Sequence, residues 1–127
     1  MRILENLLYT NDHEWIRVEG NEAYIGITDY AQHALGDIVF VELPEVDAQF
    51  NAGDAFGVIE SVKAAADIYI PVSARIIEVN EEISDDPSLV NKDAFENWMI
   101  KVELLDKSEL DNLMTAKDYE EHCSKEE

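Results

Sequence analysis

One lysine in the middle of the chain has the surroundings best suited to chemistry. Lys63 lies between two apolar runs typical of β-strands, in the stretch FGVIESVKAAADIYIPVSARIIEV. Its neighbours are small or apolar, which leaves the ammonium accessible to another enzyme. Glu60 and Asp67 flank it, and nearby carboxylates favour the charged form of an amine. This setting disfavours a Schiff-base nucleophile and favours a lysine displayed for modification, with an ordinary solvated lysine as the competing interpretation.

Familiar catalytic and metal-binding motifs are missing from the sequence. It contains no glycine-rich phosphate loop, no Cys-x-x-Cys pair, no His-Glu-x-x-His and no Gly-x-Ser-x-Gly elbow. His13, His33 and His122 are far apart in sequence, and each is interpreted as having a local structural role, with a solvated or capping role for His13. Carboxylates are so numerous that chance Asp/Glu pairs are expected. The sequence therefore predicts a protein that is not itself an enzyme, with no catalytic residues and no metal site.

Composition excludes several classes of partner. The 127 residues carry 29 acidic and 9 basic side chains, a formal net charge of −20 that repels nucleic acids and anionic membranes. The same charge speeds encounters with basic protein faces, although solubility alone also accounts for it. Cys123 is the single cysteine, so no intramolecular disulfide is expected, and no apolar run approaches the ~20 residues of a membrane helix. We expect a cytoplasmic protein, or a mature form whose targeting segment has been removed.

Alternating apolar residues predict that short strands position the lysine. Such strands are expected in EWIRV, AYIGIT, DIVFVELP, FGVIESV, DIYIPVSARIIEVN and WMIKVEL. Gly20-Asn21 is expected to close a tight hairpin, and Val39, Val41 and Leu43 are expected to share one face of their strand. Lys63 then falls near a hairpin tip, although the alanines that follow it suit a helix as well as a turn.

A short internal helix is predicted between two of the strands. The segment DYAQHALG suits one or two helical turns, with Thr28 or Asp29 capping its start and Gly36 its end. The later segment SDDPSLVNKDAFEN is predicted to be a polar loop.

Helical signals return at the C-terminal end. Ser108 with Asp111 approximates a capping box, and Thr115 with Asp118 repeats that start signal for a second short helix. The sequence therefore predicts a single mainly β domain over residues 1–127, with a β body at about 8–105 and C-terminal helices at about 107–124.

Five segments of the chain occur together in the order and spacing of one known family. They are HEWIRV (13–18), IGITDYAQHALGDIVFVELP (25–44), GVIESVKAAADIYIPVSARIIEVN (57–80), PSLVN (87–91) and WMIKVEL (98–104). The combination of ITDYAQ, LGD and ESVKA is highly specific, whereas each alone is weak. Over nearly its whole length the chain resembles the H protein of the glycine cleavage system, a family of small lipoyl carriers.

The resemblance implies a fold and a function. The implied fold is a flattened β sandwich of the barrel-sandwich hybrid type, with Lys63 at a hairpin turn as the lipoyl-attachment residue. The implied cofactor is lipoate, which accepts the aminomethyl group left when a pyridoxal-phosphate glycine decarboxylase acts on glycine. The other implied partners are an aminomethyltransferase, a dihydrolipoamide dehydrogenase and a lipoate-attaching enzyme. In the family, the lipoyl-lysine side chain forms a long arm, and a cleft on the protein docks this arm when it is loaded with the aminomethyl group. Glu14 and Asp67 match positions of that cleft, with ordinary surface carboxylates as the competing interpretation.

Some residues depart from the family pattern. Ala66 and Ala74 stand where serine and glycine are usual, and Asp47 where glycine often follows LPEV, so backbone-permissive residues of the family's loops are replaced here. Two alternatives therefore stay open. One is a lipoyl or biotinyl domain of another complex, which SVKAA and the C-terminal tail disfavour. The other is an H-like lipoyl relay, or an unmodified interaction protein, that serves another complex.

Overall fold

The structure is a computed structural model, and it describes residues 1–126. Strands dominate these residues. They are β1 (Leu8–Tyr9), β2 (Glu14–Glu19), β3 (Glu22–Ile27), β4 (Ile38–Glu42), β5 (Gln49–Phe50), β6 (Ala55–Ser61), β7 (Ala65–Tyr69), β8 (Ala74–Val79) and β9 (Ile100–Leu104). The helices are α1 (Asp29–Leu35), α2 (Glu81–Asp85), α3 (Ser88–Lys92), a 3₁₀ helix (Lys107–Asn112) and α4 (Ala116–Glu126).

The strands form two antiparallel sheets that bury one core. The larger sheet has the order β1-β2-β3-β9-β8-β5, and the smaller has the order β4-β6-β7. Ile25, Ile76 and Val102 of the larger sheet and Ile59 and Ile68 of the smaller are all buried in the same cluster. Because alternate residues of a strand point to opposite faces, each sheet presents an apolar face to this core. The predicted mainly β fold is thereby confirmed.

The predicted tight hairpin joins β2 and β3. Glu19 pairs with Glu22, so Gly20 and Asn21 form the two-residue connection. Gly20 has a φ of 67°, a left-handed conformation that glycine adopts without steric cost. The sequence signal for this turn was therefore correct.

Strand β4 differs from the prediction because its pairing with β6 is irregular. The register shifts between Ile38 and Phe40, so the side-chain alternation slips by one residue at this point. Ile38 and Val41 are buried as a result, whereas Val39 is 57% exposed and Phe40 46% exposed. The prediction that Val39 and Val41 share one face is wrong, and two neighbouring apolar side chains reach the surface.

Two short helices lie in and just before the predicted polar loop: α2 (Glu81–Asp85) overlaps its start, and α3 (Ser88–Lys92) lies within it. Asn80 caps α2 by accepting a hydrogen bond from the backbone N–H of Glu82. Ile83 of α2 and Val90 of α3 are both buried in the core. Burial of two isolated apolar side chains therefore stabilises five-residue helices that an isolated peptide of this length would not form.

The other helix signals are partly confirmed. Thr28 caps α1, its Oγ1 accepting from the N–H of Ala31, and Gly36 ends that helix with a φ of 81°. The 3₁₀ helix is capped by Asp106 rather than by the predicted Ser108, because Asp106 Oδ1 accepts from the N–H of Ser108 at 3.0 Å. Thr115 begins the last helix as predicted, since its Oγ1 accepts from the N–H of Asp118.

The last helix is anchored by a second apolar cluster. Tyr119 and Cys123 of α4 are buried there with Tyr9, Trp15 and Phe95. The rings of Tyr9 and Tyr119 stack in parallel with their centroids 4.5 Å apart. Helix α4 is therefore packed against the β body, despite its charged sequence. None of the helices within residues 1–126 has both the length and the apolar character that crossing a bilayer requires.

Candidate functional site

Lys63 lies at the tip of the β6–β7 hairpin. The two strands pair as far as Glu60 and Ala65, and residues 61–64 close the turn. The Ser61 hydroxyl organises it, because Ser61 Oγ accepts hydrogen bonds from the N–H groups of Lys63 and Ala64, each at 3.1 Å. A backbone bond of 2.7 Å from Ser61 N to the Ala64 carbonyl closes the turn further. The alanine run therefore belongs to a hairpin, because the serine hydroxyl supplies the turn chemistry.

The tip is also fastened to the end of helix α1. The Val62 N–H donates to the Asp37 carbonyl at 3.0 Å. The stem of Lys63 passes over Gly36, where a methyl group would lie only 3.2 Å from Lys63 Cε. Gly36 thus serves twice, since it ends α1 with a positive φ and leaves room for the lysine. Lys63 itself is exposed.

A groove of about 190 Å³ lies between helix α1 and the hairpin. Its walls are mostly apolar, with Ile27, Ala31, Ala34, Leu35, Ile59, Ala66 and Ile68 among them. Glu14 and Asp67, the two carboxylates singled out from the sequence, both line this groove. Ala34 and Leu35 directly precede Gly36, so the groove begins beside the stem of Lys63. The structure therefore brings together the lysine region, the two carboxylates and an apolar channel.

The two carboxylates have different surroundings. Glu14 is 3% exposed, accepts a 2.6 Å hydrogen bond from the Thr10 hydroxyl and lies 3.4 Å from the backbone N of Tyr69. Burial raises the pKa of Glu14 to about 7, against the opposing effect of these hydrogen bonds. Asp67 is exposed on β7. The groove thus combines a buried carboxyl whose pKa is about 7 with a solvated carboxylate at its rim.

Other groove residues were not identified from the sequence. His13, predicted to be solvated or to cap an element, lines the groove and stacks on Tyr30 with ring centroids 4.3 Å apart. His13 Nδ1 lies 2.7 Å from the hydroxyl of Tyr119, which comes from the last helix. The available signal was Tyr119, an aromatic residue in the charged helical segment KDYEEH. A larger surface pocket of about 620 Å³ is lined by Trp98 and Val46, among others. None of the predicted site residues lines it.

Known proteins resemble this chain over nearly its full length. The family model described as glycine cleavage H-protein matches residues 7–126. A glycine cleavage system H protein of Alkaliphilus oremlandii is 64% identical over 126 residues, covering 99% of each chain. One from a Thermoanaerobacter species is 61% identical over 126 residues, covering 99% of this chain and 100% of the relative.

A solved structure agrees with the sequence relatives. The crystal structure of a glycine cleavage system H protein from Mycobacterium marinum has a TM-score of 0.87 and 36% identity to this chain. The match covers 96% of this chain and 99% of that one. The resemblance drawn from the motifs is therefore confirmed, and the chain belongs to the glycine cleavage H-protein family, the lipoyl carriers of the glycine cleavage system.

Proposed function

We propose that Lys63 carries the lipoyl group and that this single domain shuttles the aminomethyl group of glycine between the enzymes of the system. The observation that carries the proposal is the position of Lys63, exposed at a hydrogen-bonded hairpin tip beside the mouth of an apolar groove. When bound, lipoate supplies a disulfide that accepts the aminomethyl group and is later regenerated by oxidation.

The residues at the tip fit a covalently attached arm. An amide link needs a lysine amine that another enzyme can reach, and Lys63 is exposed. The turn is rigid because Ser61 and Asp37 hold its backbone from two sides. A rigid base with a long arm keeps the cargo at high local concentration near several active sites. The stem lies over Gly36, next in sequence to Leu35, which lines the groove.

We assign the groove to temporary storage of the loaded arm. Its apolar walls exclude water from a cargo that water would release. Glu14, buried and with a pKa of about 7, accepts a hydrogen bond from the cargo amine without requiring a full buried charge. Asp67 at the rim attracts the same amine as it enters.

The proposed partners are the enzymes that act on the arm. They are a pyridoxal-phosphate glycine decarboxylase, an aminomethyltransferase, a dihydrolipoamide dehydrogenase and a lipoate-attaching enzyme. These enzymes perform the bond-making steps, and the chain acts as a carrier. A net charge of −20 favours partners whose docking faces are basic. We propose the cytoplasm as the compartment, since one cysteine makes no intramolecular disulfide.

The surface next to Lys63 supports selective attachment. Val39, Phe40 and Val62 are all exposed, and Val62 directly precedes the lysine. The register shift in β4 exposes the first two, and the Val62–Asp37 hydrogen bond draws the tip toward that strand. Exposed apolar side chains clustered in this way are typical of protein contacts. They distinguish Lys63 from the other lysines of the chain for the attaching enzyme.

Isotope exchange tests the proposal directly. Wild type and Lys63→Arg are exposed to a lipoate ligase and then mixed with glycine decarboxylase, glycine and ¹³C-bicarbonate. We expect label to enter the glycine carboxyl group with wild type and not with Lys63→Arg, while Lys92→Arg, an exposed lysine on α3, behaves as wild type. Lipoylated wild type without exchange would instead favour a relay that serves another complex.

A further inference from the structure

One hydroxyl of the last helix connects two walls of the groove. The Tyr119 hydroxyl lies 2.7 Å from His13 Nδ1 and 2.6 Å from Thr28 Oγ1. His13 belongs to the connection between β1 and β2, and Thr28 is the N-cap of α1. Tyr119 comes from α4, more than ninety residues later in the chain than either partner. The Tyr119 hydroxyl of the C-terminal helix therefore contacts both segments, and His122 of the same helix lies beside the His13 ring.

The first wall depends on a strained residue. His13 has a φ of 68°, a left-handed conformation that costs a non-glycine residue free energy unless its surroundings hold it. Several contacts hold it here. Its ring meets the Tyr119 hydroxyl, stacks on Tyr30 and lies 5.6 Å from the His122 ring, centroid to centroid. Its carbonyl accepts from Thr28 N at 3.0 Å, and its N–H donates to the Thr10 carbonyl at 3.2 Å. His13 precedes Glu14, so its backbone conformation also sets where the buried carboxyl enters the groove.

The second wall depends on the cap of α1. Thr28 Oγ1 accepts from the Ala31 N–H at 3.2 Å, and Ala31, Ala34 and Leu35 of the same helix line the groove. The Thr28 hydroxyl both caps α1 and bonds Tyr119, so it fixes the start of α1 relative to α4. Burial raises the pKa of Tyr119, so its hydroxyl keeps its proton and can both donate and accept among its neighbours His13, Thr28 and Cys123.

From this geometry we propose that Tyr119 is a positioning residue for the arm groove, holding its His13 wall and its α1 wall at the spacing that retains the loaded arm. The inference rests on the proposed function of the groove as the storage site. Tyr119 does not line the groove itself, so it acts through His13 and Thr28.

The first experiment uses a matched pair of tyrosine variants. Tyr119→Phe keeps the ring stacked on Tyr9 and removes only the hydroxyl that contacts the groove walls. Tyr9→Phe removes the other hydroxyl of the same stack, which instead bonds the backbone of Leu4 at 2.7 and 2.8 Å. Both variants lose hydrogen bonds in one cluster, so a general loss of stability affects both.

Two readouts separate positioning from stability. On protein without lipoate, the ¹⁵N chemical shift of His13 Nδ1 is expected to move in Tyr119→Phe and to stay in Tyr9→Phe. On lipoylated protein loaded by glycine decarboxylase and then purified, intact mass follows the decay of the aminomethyl load. We expect that load to decay about fivefold faster in Tyr119→Phe, the factor that a typical hydrogen bond provides. Tyr9→Phe is expected to stay within about twofold of wild type.

A second pair keeps the test decisive if Tyr119→Phe does not fold. Thr28→Ser retains the hydroxyl that caps α1 and bonds Tyr119, and is expected to retain the load like wild type. Thr28→Val keeps the side-chain shape without the hydroxyl and is expected to release the load faster.

The outcomes distinguish this inference from the storage proposal beneath it. If wild type loses its load as fast when folded as when unfolded in urea, the groove does not store the arm. If wild type protects its load and Tyr119→Phe protects it equally, the positioning role is wrong. Equal acceleration in Tyr9→Phe and Tyr119→Phe would also overturn it, because the effect would then follow from weaker packing.

Discussion

The hairpin tip and the groove are neighbours built in opposite ways. The tip is built mainly from local bonds, since Ser61 Oγ accepts from the N–H groups of Lys63 and Ala64, and one longer-range bond joins Val62 N to the Asp37 carbonyl. The groove is assembled from distant segments, with Glu14 in β2, Ala34 in α1 and Asp67 in β7. The tip also leaves its functional group in water, whereas the groove buries a carboxyl. Lipoate attachment at Lys63 should therefore tolerate substitutions in distant segments that disturb storage of the arm in the groove.

The largest expected effect comes from the buried carboxyl of the groove. Since burial raises the pKa of Glu14 from 4.5 to about 7, the folded state binds more protons than the unfolded state between these values. The free energy of unfolding of wild type therefore falls as pH rises through this window. Glu14→Gln removes the titration, so its stability relative to wild type should rise by about 3 kcal/mol between pH ~4 and pH ~8.

Urea denaturation of both proteins across this range measures the difference. Glu42→Gln, which removes an exposed carboxylate on β4, is the control for the loss of one negative charge. A pH-independent gap between Glu14→Gln and wild type would show that the groove carboxyl is not held in a desolvated state. Lipoylation of Lys63 should be unchanged in Glu14→Gln, which keeps the two regions separate.

A smaller effect is expected at the tip. Ser61→Ala removes the hydroxyl that accepts from Lys63 N and Ala64 N, so the turn loses its local order. We expect lipoate attachment to slow by about tenfold while the free energy of unfolding falls by only ~1 kcal/mol, because the turn is at the surface. Ser61→Thr, which keeps a hydroxyl, should attach lipoate close to the wild-type rate.

Attachment kinetics from intact mass test this prediction. A normal rate in Ser61→Ala would mean that the ligase imposes the turn conformation itself. A change in the lifetime of the aminomethyl load, with attachment unaffected, would reverse the assignment of roles to tip and groove.

The smallest expected effect is that of salt on partner binding, which depends on the net negative charge of the whole protein, including both the tip and the groove. Binding of the attaching enzyme should weaken several-fold as salt rises from ~0.05 to ~0.5 M, because screening shortens the reach of the surface carboxylates. The net charge of −20 predicts that association slows while dissociation changes little. Stopped-flow association rates at several salt concentrations distinguish these effects. Salt-independent association would leave the charge as a contribution to solubility alone.

The same difference explains what could be predicted from the sequence. The longer strands, the cap of α1 at Thr28 or Asp29 and the turn at Gly20 depend on residues close together in the chain, and they were predicted. The two-residue strands β1 and β5 were not. The irregular pairing of β4 was not predicted, since it depends on the register with β6. The two short helices within residues 81–92 were missed because tertiary burial of Ile83 and Val90, rather than propensity, stabilises them.

The groove shows the same limit. Glu14 and Asp67 were assigned to the groove only through the family resemblance, because nothing in their local sequence marks them as neighbours of each other. The contacts of Tyr119 with His13 and Thr28 span 106 and 91 residues, respectively. No periodicity or motif encodes contacts at that separation. Long-range packing therefore determines the part of the site that local patterns leave open.

Intact mass after incubation with a lipoate ligase tests the central claim most directly. Wild type is expected to gain one lipoyl group, mapped by peptide sequencing to Lys63, and Lys63→Arg is expected to gain none while its other lysines remain. The arginine variant keeps the positive charge and the exposed turn, so a failure to react isolates the amine. An unmodified wild type, or a lipoyl group on Lys63→Arg, would contradict the assignment of the carrier function to this hairpin tip.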